Sequence, residues 1–166
     1  MSVIDDVLQA NREFAEKFQP SHFTPRPRKH LCVLTCMDTR LTIASLGLKV
    51  GDAHIIRNAG GLITEDTLRS LIVSHYFLGT QEVMIINHTD CGLMKMSEDE
   101  MRERIMNESG TDAERPVWFH AFSDVEANVR DQLRRFHAHP WLAQRMNGRG
   151  FVYEVETGRL REVKPS

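Results

Sequence analysis

The arrangement of short apolar runs is the feature that most constrains how this chain can fold. Four runs have the length of a β-strand and cover residues 31–35, 53–57, 82–87 and 150–155. The fourth run turns at Thr157-Gly158 into a short partner strand at residues 160–163. Helical patterns separate the runs, and this alternation implies crossover connections between parallel strands. The sequence therefore predicts a single α/β domain with a mainly parallel, mixed sheet flanked by helices.

The stretches between these strands carry helix signals. Thr64 can cap a helix with an acidic first turn, and this pattern stops at Gly79. Residues 123–126, Ser-Asp-Val-Glu, have the form of a capping box before a helix that Pro140 closes. Residues 95–116 are dense in charge and predict a solvated helix and loop.

The N-terminal region is predicted to be a helix followed by an extended arm. Residues 3–18 place apolar side chains at helical spacing, which is typical of an amphipathic helix. Residues 19–28 contain three prolines and favour an extended connector. We therefore expect residues 1–28 to form a tethered helix and arm within one domain that spans residues 1–166. Such a helix can lie across another surface.

Composition and charge exclude several classes of protein. The chain has 166 residues, which suffices for a core without disulfides. Its 21 Lys and Arg residues against 23 Asp and Glu residues give a net charge of -2, which argues against a nucleic-acid partner. No apolar run approaches the ~20 residues that a membrane helix needs. The first residues are acidic where a secretory signal would be basic, so we expect a cytoplasmic location.

Residues with metal-binding chemistry follow directly after the first and third strands. The first strand runs into residues 36–40, Cys-Met-Asp-Thr-Arg, and the third into residues 88–92, His-Thr-Asp-Cys-Gly. Ligand sites of open α/β sheets form at the carboxyl ends of parallel strands, so Cys36, His88 and Cys91 are expected to converge there. Two thiols and an imidazole suit zinc, and three protein ligands leave one coordination position open, as in catalytic sites.

Other interpretations of these residues remain open on chemistry alone. A phosphatase of the cysteine type needs five residues between Cys and Arg, whereas Cys36 and Arg40 have three between them. Cys91 and His88 can form a nucleophilic pair, although Cys36 then has no role. The pair Gly60-Gly61 lies before a helix and can approach a phosphate, but a third glycine and a P-loop lysine are missing.

Ordinary burial is the remaining alternative for the cysteines. Their odd number, three, argues against a disulfide framework, and free cysteine is among the most buried residue types. Cys32 lies four residues before Cys36 and is expected on the same side of the strand. We predict that Cys32 is a packing residue and not a fourth ligand.

Taken together, the motifs resemble those of the β-class carbonic anhydrases. C-x-D-x-R at residues 36–40, R-N-A-G at residues 57–60 and H-x-x-C at residues 88–91 match that family in order and spacing. The short chain resembles the compact microbial branch. The resemblance implies the reversible hydration of CO2 to bicarbonate by a zinc-bound hydroxide, with one Zn²⁺ per chain. It also implies a homodimer or a dimer of dimers, in which the N-terminal helix embraces the partner.

The resemblance also implies roles for individual residues. Zinc is held by Cys36, His88 and Cys91, with water or a carboxylate as the fourth ligand. That carboxylate is Asp38, which forms a catalytic dyad with Arg40 and is thereby kept off the metal. The backbone N–H of Gly92 is the expected donor to the substrate.

Two alternatives use the same motifs. The zinc site can support the hydrolysis of CS2 or COS, which changes the substrate and keeps the metal. A protein of this fold can also be a non-enzymatic regulator that binds zinc or bicarbonate.

Overall fold

The computed structural model describes residues 2–19, 24–111 and 117–164. It contains a sheet made of β1 (Leu31–Cys36), β2 (Ala53–Asn58), β3 (Glu82–His88), β4 (Asn147–Glu154) and β5 (Arg159–Val163). The strand order is β2-β1-β3-β4-β5. The first four strands are parallel, and β5 pairs antiparallel with β4. The predicted mainly parallel, mixed sheet is confirmed.

Four α-helices accompany the sheet in the part of the chain that the structure describes: α1 (Val3–Glu16), α2 (Glu65–Tyr76), α3 (Glu98–Ser109) and α4 (Val125–Ala138). Thr64 caps α2 as predicted, since its side chain accepts a hydrogen bond from the Thr67 N–H. The α3 helix begins with a capping box, and residues 112–116 of the predicted charged segment lie outside the described residues.

The predicted capping box at the start of α4 is wrong by one residue. The N-cap is Asp124, whose side chain accepts a hydrogen bond from the Ala127 N–H at 2.9 Å. Asp124 has the extended backbone of a cap, so Ser123 lies one position before it. Either residue type can cap a helix, and the sequence pattern alone favoured the wrong one.

The helices α2 and α4 cover one face of the sheet. Their apolar side chains pack with alternate strand residues such as Leu34, Ile85 and Val152, all of which are fully buried. Close packing of α4 on β4 depends on Gly150, because a Cβ atom there would lie 2.4 Å from Val129 Cγ1. A second apolar cluster, which includes Val33, Ile86 and Phe151, lies on the other face.

The α1 helix has a different environment from α2 and α4. Like α3 it has no buried residue, but it carries five large exposed apolar side chains: Val3, Ile4, Val7, Leu8 and Phe14. The helix ends at Glu16, two residues earlier than predicted. Residues 20–23 of the predicted connector lie outside the described residues. None of the helices that the structure describes is long and apolar enough to cross a membrane.

Candidate metal centre

The ends of two neighbouring parallel strands bring three metal-binding side chains together. Cys36 is the last residue of β1, His88 is the last residue of β3, and Cys91 follows in the next turn. One ligand atom of each residue lies within 4.8 Å of the other two. The side chains are almost inaccessible, with exposures of 5 % for Cys36, 0 % for His88 and 2 % for Cys91. The structure therefore brings together the three residues that the sequence predicts as ligands.

The hydrogen bonding of His88 leaves one ring nitrogen available to a metal ion. Nδ1 lies 2.7 Å from the Thr89 carbonyl oxygen, which can only accept, so Nδ1 carries the proton. Within the described residues, the buried Nε2 has no hydrogen-bond partner. A buried polar atom without a partner is costly, and coordination by a metal ion removes that cost. The donor set of one imidazole and two thiols fits zinc.

The two thiols of the cluster are electrostatically coupled. Hydrogen bonding from Cys91 is the main cause that lowers the pKa of Cys36. The same contact raises the pKa of Cys91, which keeps its proton in the absence of a metal. The Gly60 N–H also donates to Cys36 Sγ at 3.3 Å. Zinc binds thiolates, and these contacts favour the thiolate form of Cys36.

Asp38 and Arg40 form a close pair beside the three ligands. Arg40 donates from Nε to Asp38 Oδ1 at 3.0 Å and from Nη2 to Asp38 Oδ2 at 2.8 Å. These hydrogen bonds are the main cause that lowers the pKa of Asp38, so its carboxylate stays ionised. Asp38 Oδ2 also lies 3.8 Å from His88 Nε2, which places the carboxylate next to the donor atoms.

Arg57 supports the end of β1 in a way that sequence reasoning missed. Its Nε donates to the Cys36 carbonyl at 2.9 Å, and its Nη2 donates to the Asp38 carbonyl at 2.5 Å. One side chain thus holds the backbone of both residues. The R-N-A-G motif includes Arg57, but the spacing of the motif does not show which groups this arginine contacts.

Two glycines bring the loop after β2 against the strand that carries Cys36. Gly61 has φ +65°, and a Cβ atom there would lie 2.9 Å from the Cys36 backbone nitrogen. Asn87 donates to the Gly60 carbonyl at 2.7 Å, and Asn128 on α4 donates to Asn87 Oδ1 at 2.9 Å. The glycines therefore serve close packing beside the cysteine.

Gly92 follows Cys91 directly and opens a short 3-10 helix, residues 92–94. A Cβ atom at Gly92 would meet nothing within 4 Å, so the side-chain position of this residue is open. Its predicted role as a donor to the substrate stays a prediction.

Cys32 lies apart from the cluster. It is fully buried in the core between the sheet and the helices, which confirms the predicted packing role. Burial raises the pKa of the Cys32 thiol to about 12. Cys36 belongs to the apolar cluster on the other face, so the expectation that both cysteines share one side is wrong. Cys36 is the last residue of β1, where pairing with β2 continues but pairing with β3 has stopped at Thr35.

Comparison with known proteins shows which family shares these motifs. The family model described as carbonic anhydrase matches residues 31–160. Beta-carbonic anhydrase 1 of Mycobacterium tuberculosis is 41% identical over 167 residues, which cover 99% of this chain and 100% of that protein. The carbon disulfide hydrolase of Saccharolobus solfataricus is 36% identical over 81% of this chain and 77% of that protein.

A solved structure agrees with the sequence comparisons. The carbonic anhydrase from Streptococcus mutans superposes with a TM-score of 0.91 at 37% identity, and 99% of each chain is covered. This likeness extends over the whole sheet and its helices.

Proposed function

The chain belongs to the carbonic anhydrase family, and we propose that it hydrates CO2 reversibly at one zinc ion held by Cys36, His88 and Cys91. One observation carries the assignment of the ligands. Their donor atoms lie within 4.8 Å of one another, and His88 Nε2 is buried without a hydrogen-bond partner in the described part of the chain. Zinc at such a three-ligand site supplies a water nucleophile that ionises near neutral pH.

The residues around the ligands would orient the attacking water. Asp38 is ionised and lies beside the ligand atoms, so its carboxylate can accept a hydrogen bond from that water. Arg40 occupies both carboxylate oxygens and thereby keeps Asp38 from acting as a ligand itself. The Gly92 N–H is proposed to donate to a substrate oxygen, which is supported by the position of Gly92 directly after the candidate ligand Cys91. The product is bicarbonate.

The similarity to carbon disulfide hydrolases favours CS2 as a second candidate substrate. Carbon disulfide hydrolases align with this chain at 33–36% identity. CS2 is a linear molecule like CO2, and attack of water on its carbon needs the same ligands. We place CO2 first because a beta-carbonic anhydrase aligns over 99% of this chain, whereas the carbon disulfide hydrolases align over 80–81% of it.

A stopped-flow assay of CO2 hydration on protein of measured zinc content tests the proposal. We expect hydration that scales with the zinc content and is lost in His88→Ala. Release of sulfide from CS2 in a parallel assay identifies the second candidate. A zinc-loaded protein that turns over neither compound would contradict the proposal.

We also propose that the protein is a homodimer or a dimer of dimers. The support is α1, which buries none of its residues and exposes five large apolar side chains. Solitary apolar residues are normal on a surface, but a helix face of this kind favours a partner. A second copy is the simplest partner for this helix face, since most soluble oligomers are symmetric assemblies of one chain.

We also propose that the protein is cytoplasmic. This location is supported by three free cysteines.

The oligomer is tested by light scattering on the full chain and on a variant with Ile4→Glu and Leu8→Glu. We expect the mass of at least two chains for the parent and a smaller mass for the variant. Arg12→Glu, an exposed polar residue on the same helix, is the matched control and should retain the parent mass. A monomeric parent would refute this part of the proposal.

A further inference from the structure

Arg40 lies between two carboxylates, and only one of them belongs to the dyad. On the side opposite Asp38, its Nη1 donates to Asp90 Oδ2 at 2.8 Å. Its Nη2 also donates to the Asp90 carbonyl oxygen at 3.1 Å. All three nitrogens of the guanidinium are therefore engaged, and Asp90 accepts from two of them.

The backbone and the neighbours of Asp90 fix its position. Asp90 lies in the turn between His88 and Cys91 and has φ +52°, a left-handed conformation that Asp and Asn tolerate better than most residues. Lys95 Nζ lies 2.8 Å from Asp90 Oδ1, on the carboxylate oxygen that Arg40 does not use. Asp90 is thus a carboxylate held from two directions.

A single carboxylate partner would hold Arg40 poorly. The Arg40 side chain is 43% exposed. The electrostatic gain from an exposed ion pair offsets only a small part of the side-chain entropy that is lost when the pair forms. A guanidinium bound only to Asp38 can rotate so that other N–H groups face the carboxylate, or it can turn toward solvent. Contacts on both edges of the planar group leave one orientation, in which Nε and Nη2 face Asp38.

We propose that Asp90, braced by Lys95, is a positioning residue that holds the Arg40 guanidinium in register with the Asp38 carboxylate. This inference rests on the proposed function, because Asp38 acts on the water nucleophile in that reaction. Asp90 acts on the reaction only through Arg40. Because Asp90 lies between His88 and Cys91, the same short turn positions these two predicted ligands and orients Arg40 toward Asp38.

Two variants of the full-length, zinc-loaded protein test the proposal. Asp90→Asn keeps the shape of the side chain and tolerates the left-handed backbone, whereas Asp90→Gly removes the side chain without backbone strain. We expect kcat for CO2 hydration to fall about tenfold in both, as for the loss of one charge-assisted hydrogen bond, with KM little changed. The Arg40 Nε–Hε NMR signal should exchange faster with solvent, and the zinc content should equal that of the parent.

Asp66→Asn is the matched control, because Asp66 also pairs with an arginine, Arg69, at 2.7 Å but lies on the exposed surface of α2. It should change neither the rate nor the Arg40 signal. Unchanged Arg40 exchange and kcat in the Asp90 variants would overturn the proposal. Loss of zinc in both variants would also overturn it, since Asp90 would then shape the ligand turn. If Asp90→Asn does not fold, Asp90→Gly decides by the same criteria. A zinc-loaded parent without hydration activity would instead refute the proposed function. The solvent exchange of the Arg40 Nε–Hε signal would still test whether Asp90 positions Arg40.

Discussion

The Gly60 N–H donates a hydrogen bond to Cys36 Sγ over 3.3 Å, so the loop after β2 stabilises the thiolate at the end of β1. The Gly60 carbonyl is in turn held by Asn87, and Asn87 is held by Asn128 on α4. Gln132 extends this buried chain of amides to the Ile63 N–H. The geometry around one candidate ligand therefore depends on a helix that supplies no ligand.

Asn128→Ala should destabilise the protein through this amide chain. The variant removes the donor to Asn87 Oδ1 and leaves a fully buried carbonyl oxygen without that partner. We expect the free energy of unfolding to fall by about 1–3 kcal/mol, as measured by urea denaturation. Asn147→Ala is the control, because Asn147 is exposed and its side chain makes a longer contact of 3.3 Å with Glu82. Equal stability of the two variants would contradict the prediction.

Removal of any one predicted ligand should empty the metal site. Cys36→Ser, His88→Ala and Cys91→Ser should each lose most of the bound zinc, because a three-ligand site has no spare protein donor. Zinc measured by mass spectrometry should be about one ion per chain in the parent. Cys32→Ala should keep its zinc, since Cys32 lies in the other core cluster. Full zinc retention in all three ligand variants would refute the ligand assignment.

Arg40→Ala should reduce CO2 hydration while it leaves the zinc content nearly unchanged. Without Arg40, the ionised Asp38 carboxylate loses the hydrogen bonds that hold it and is free to close onto the metal. We expect a loss of activity of about 10–100-fold, the usual effect of removing a partner of an orienting group. The double variant with Asp38→Ala should free the coordination position but lack the acceptor. Parent-like hydration by Arg40→Ala at every pH would show that the dyad is only a surface ion pair.

Gly61→Ala should be far more disruptive than Gly47→Ala. Both glycines have left-handed backbones, with φ +65° and +67°. A methyl group at residue 47 meets nothing within 4 Å, so that variant should lose only about 1 kcal/mol for the backbone conformation. At residue 61 the methyl group would also press on the backbone of β1 and β3, which cannot move away as a side chain can. Thermal unfolding that ranks Gly47→Ala as equal or worse would contradict this interpretation.

Asp52 should contribute stability that is lost in acid. The Lys49 N–H and Arg28 donate to its carboxylate, and these contacts lower its pKa in the folded state. A lowered folded pKa stabilises the protein above the unfolded value of about 3.9, and this contribution disappears as the pH falls through the folded value. Asp52→Asn should therefore lower the urea midpoint at pH 7, and the two midpoints should converge below about pH 3.9. A constant difference from pH 7 to pH 2 would argue against the linkage.

Much of the fold follows from local sequence patterns. Strand positions were predictable because apolar runs such as residues 82–87 have few alternatives, and Thr64 carries a clear capping signal. The start of α4 was placed one residue early because Ser123 and Asp124 can both cap a helix. The β4 strand begins at Asn147, three residues before the predicted start, because backbone pairing with β3 extends a strand beyond its apolar residues.

The convergence of the candidate site was also predictable, since Cys36 and His88 end adjacent parallel strands. The supporting contacts were not. Arg57 binds two carbonyl groups that belong to residues 19 and 21 positions away. No periodicity encodes a side chain that reaches across a sheet edge to backbone atoms. Asp90 was overlooked for a similar reason, because its partner Arg40 is 50 residues earlier in the chain.

Burial of the three donor side chains, each at most 5 % exposed, has a kinetic consequence. A chelator in solution can reach a bound ion only through the one coordination position that the protein leaves open, and Cys36, His88 and Cys91 must separate before the ion is released. We expect the rate of metal release to be limited by transient opening of this ligand cluster and to become independent of chelator concentration. Metal selection in a cell would accordingly be decided when the chain first acquires its ion, and later competition among free ions would change the occupant only slowly.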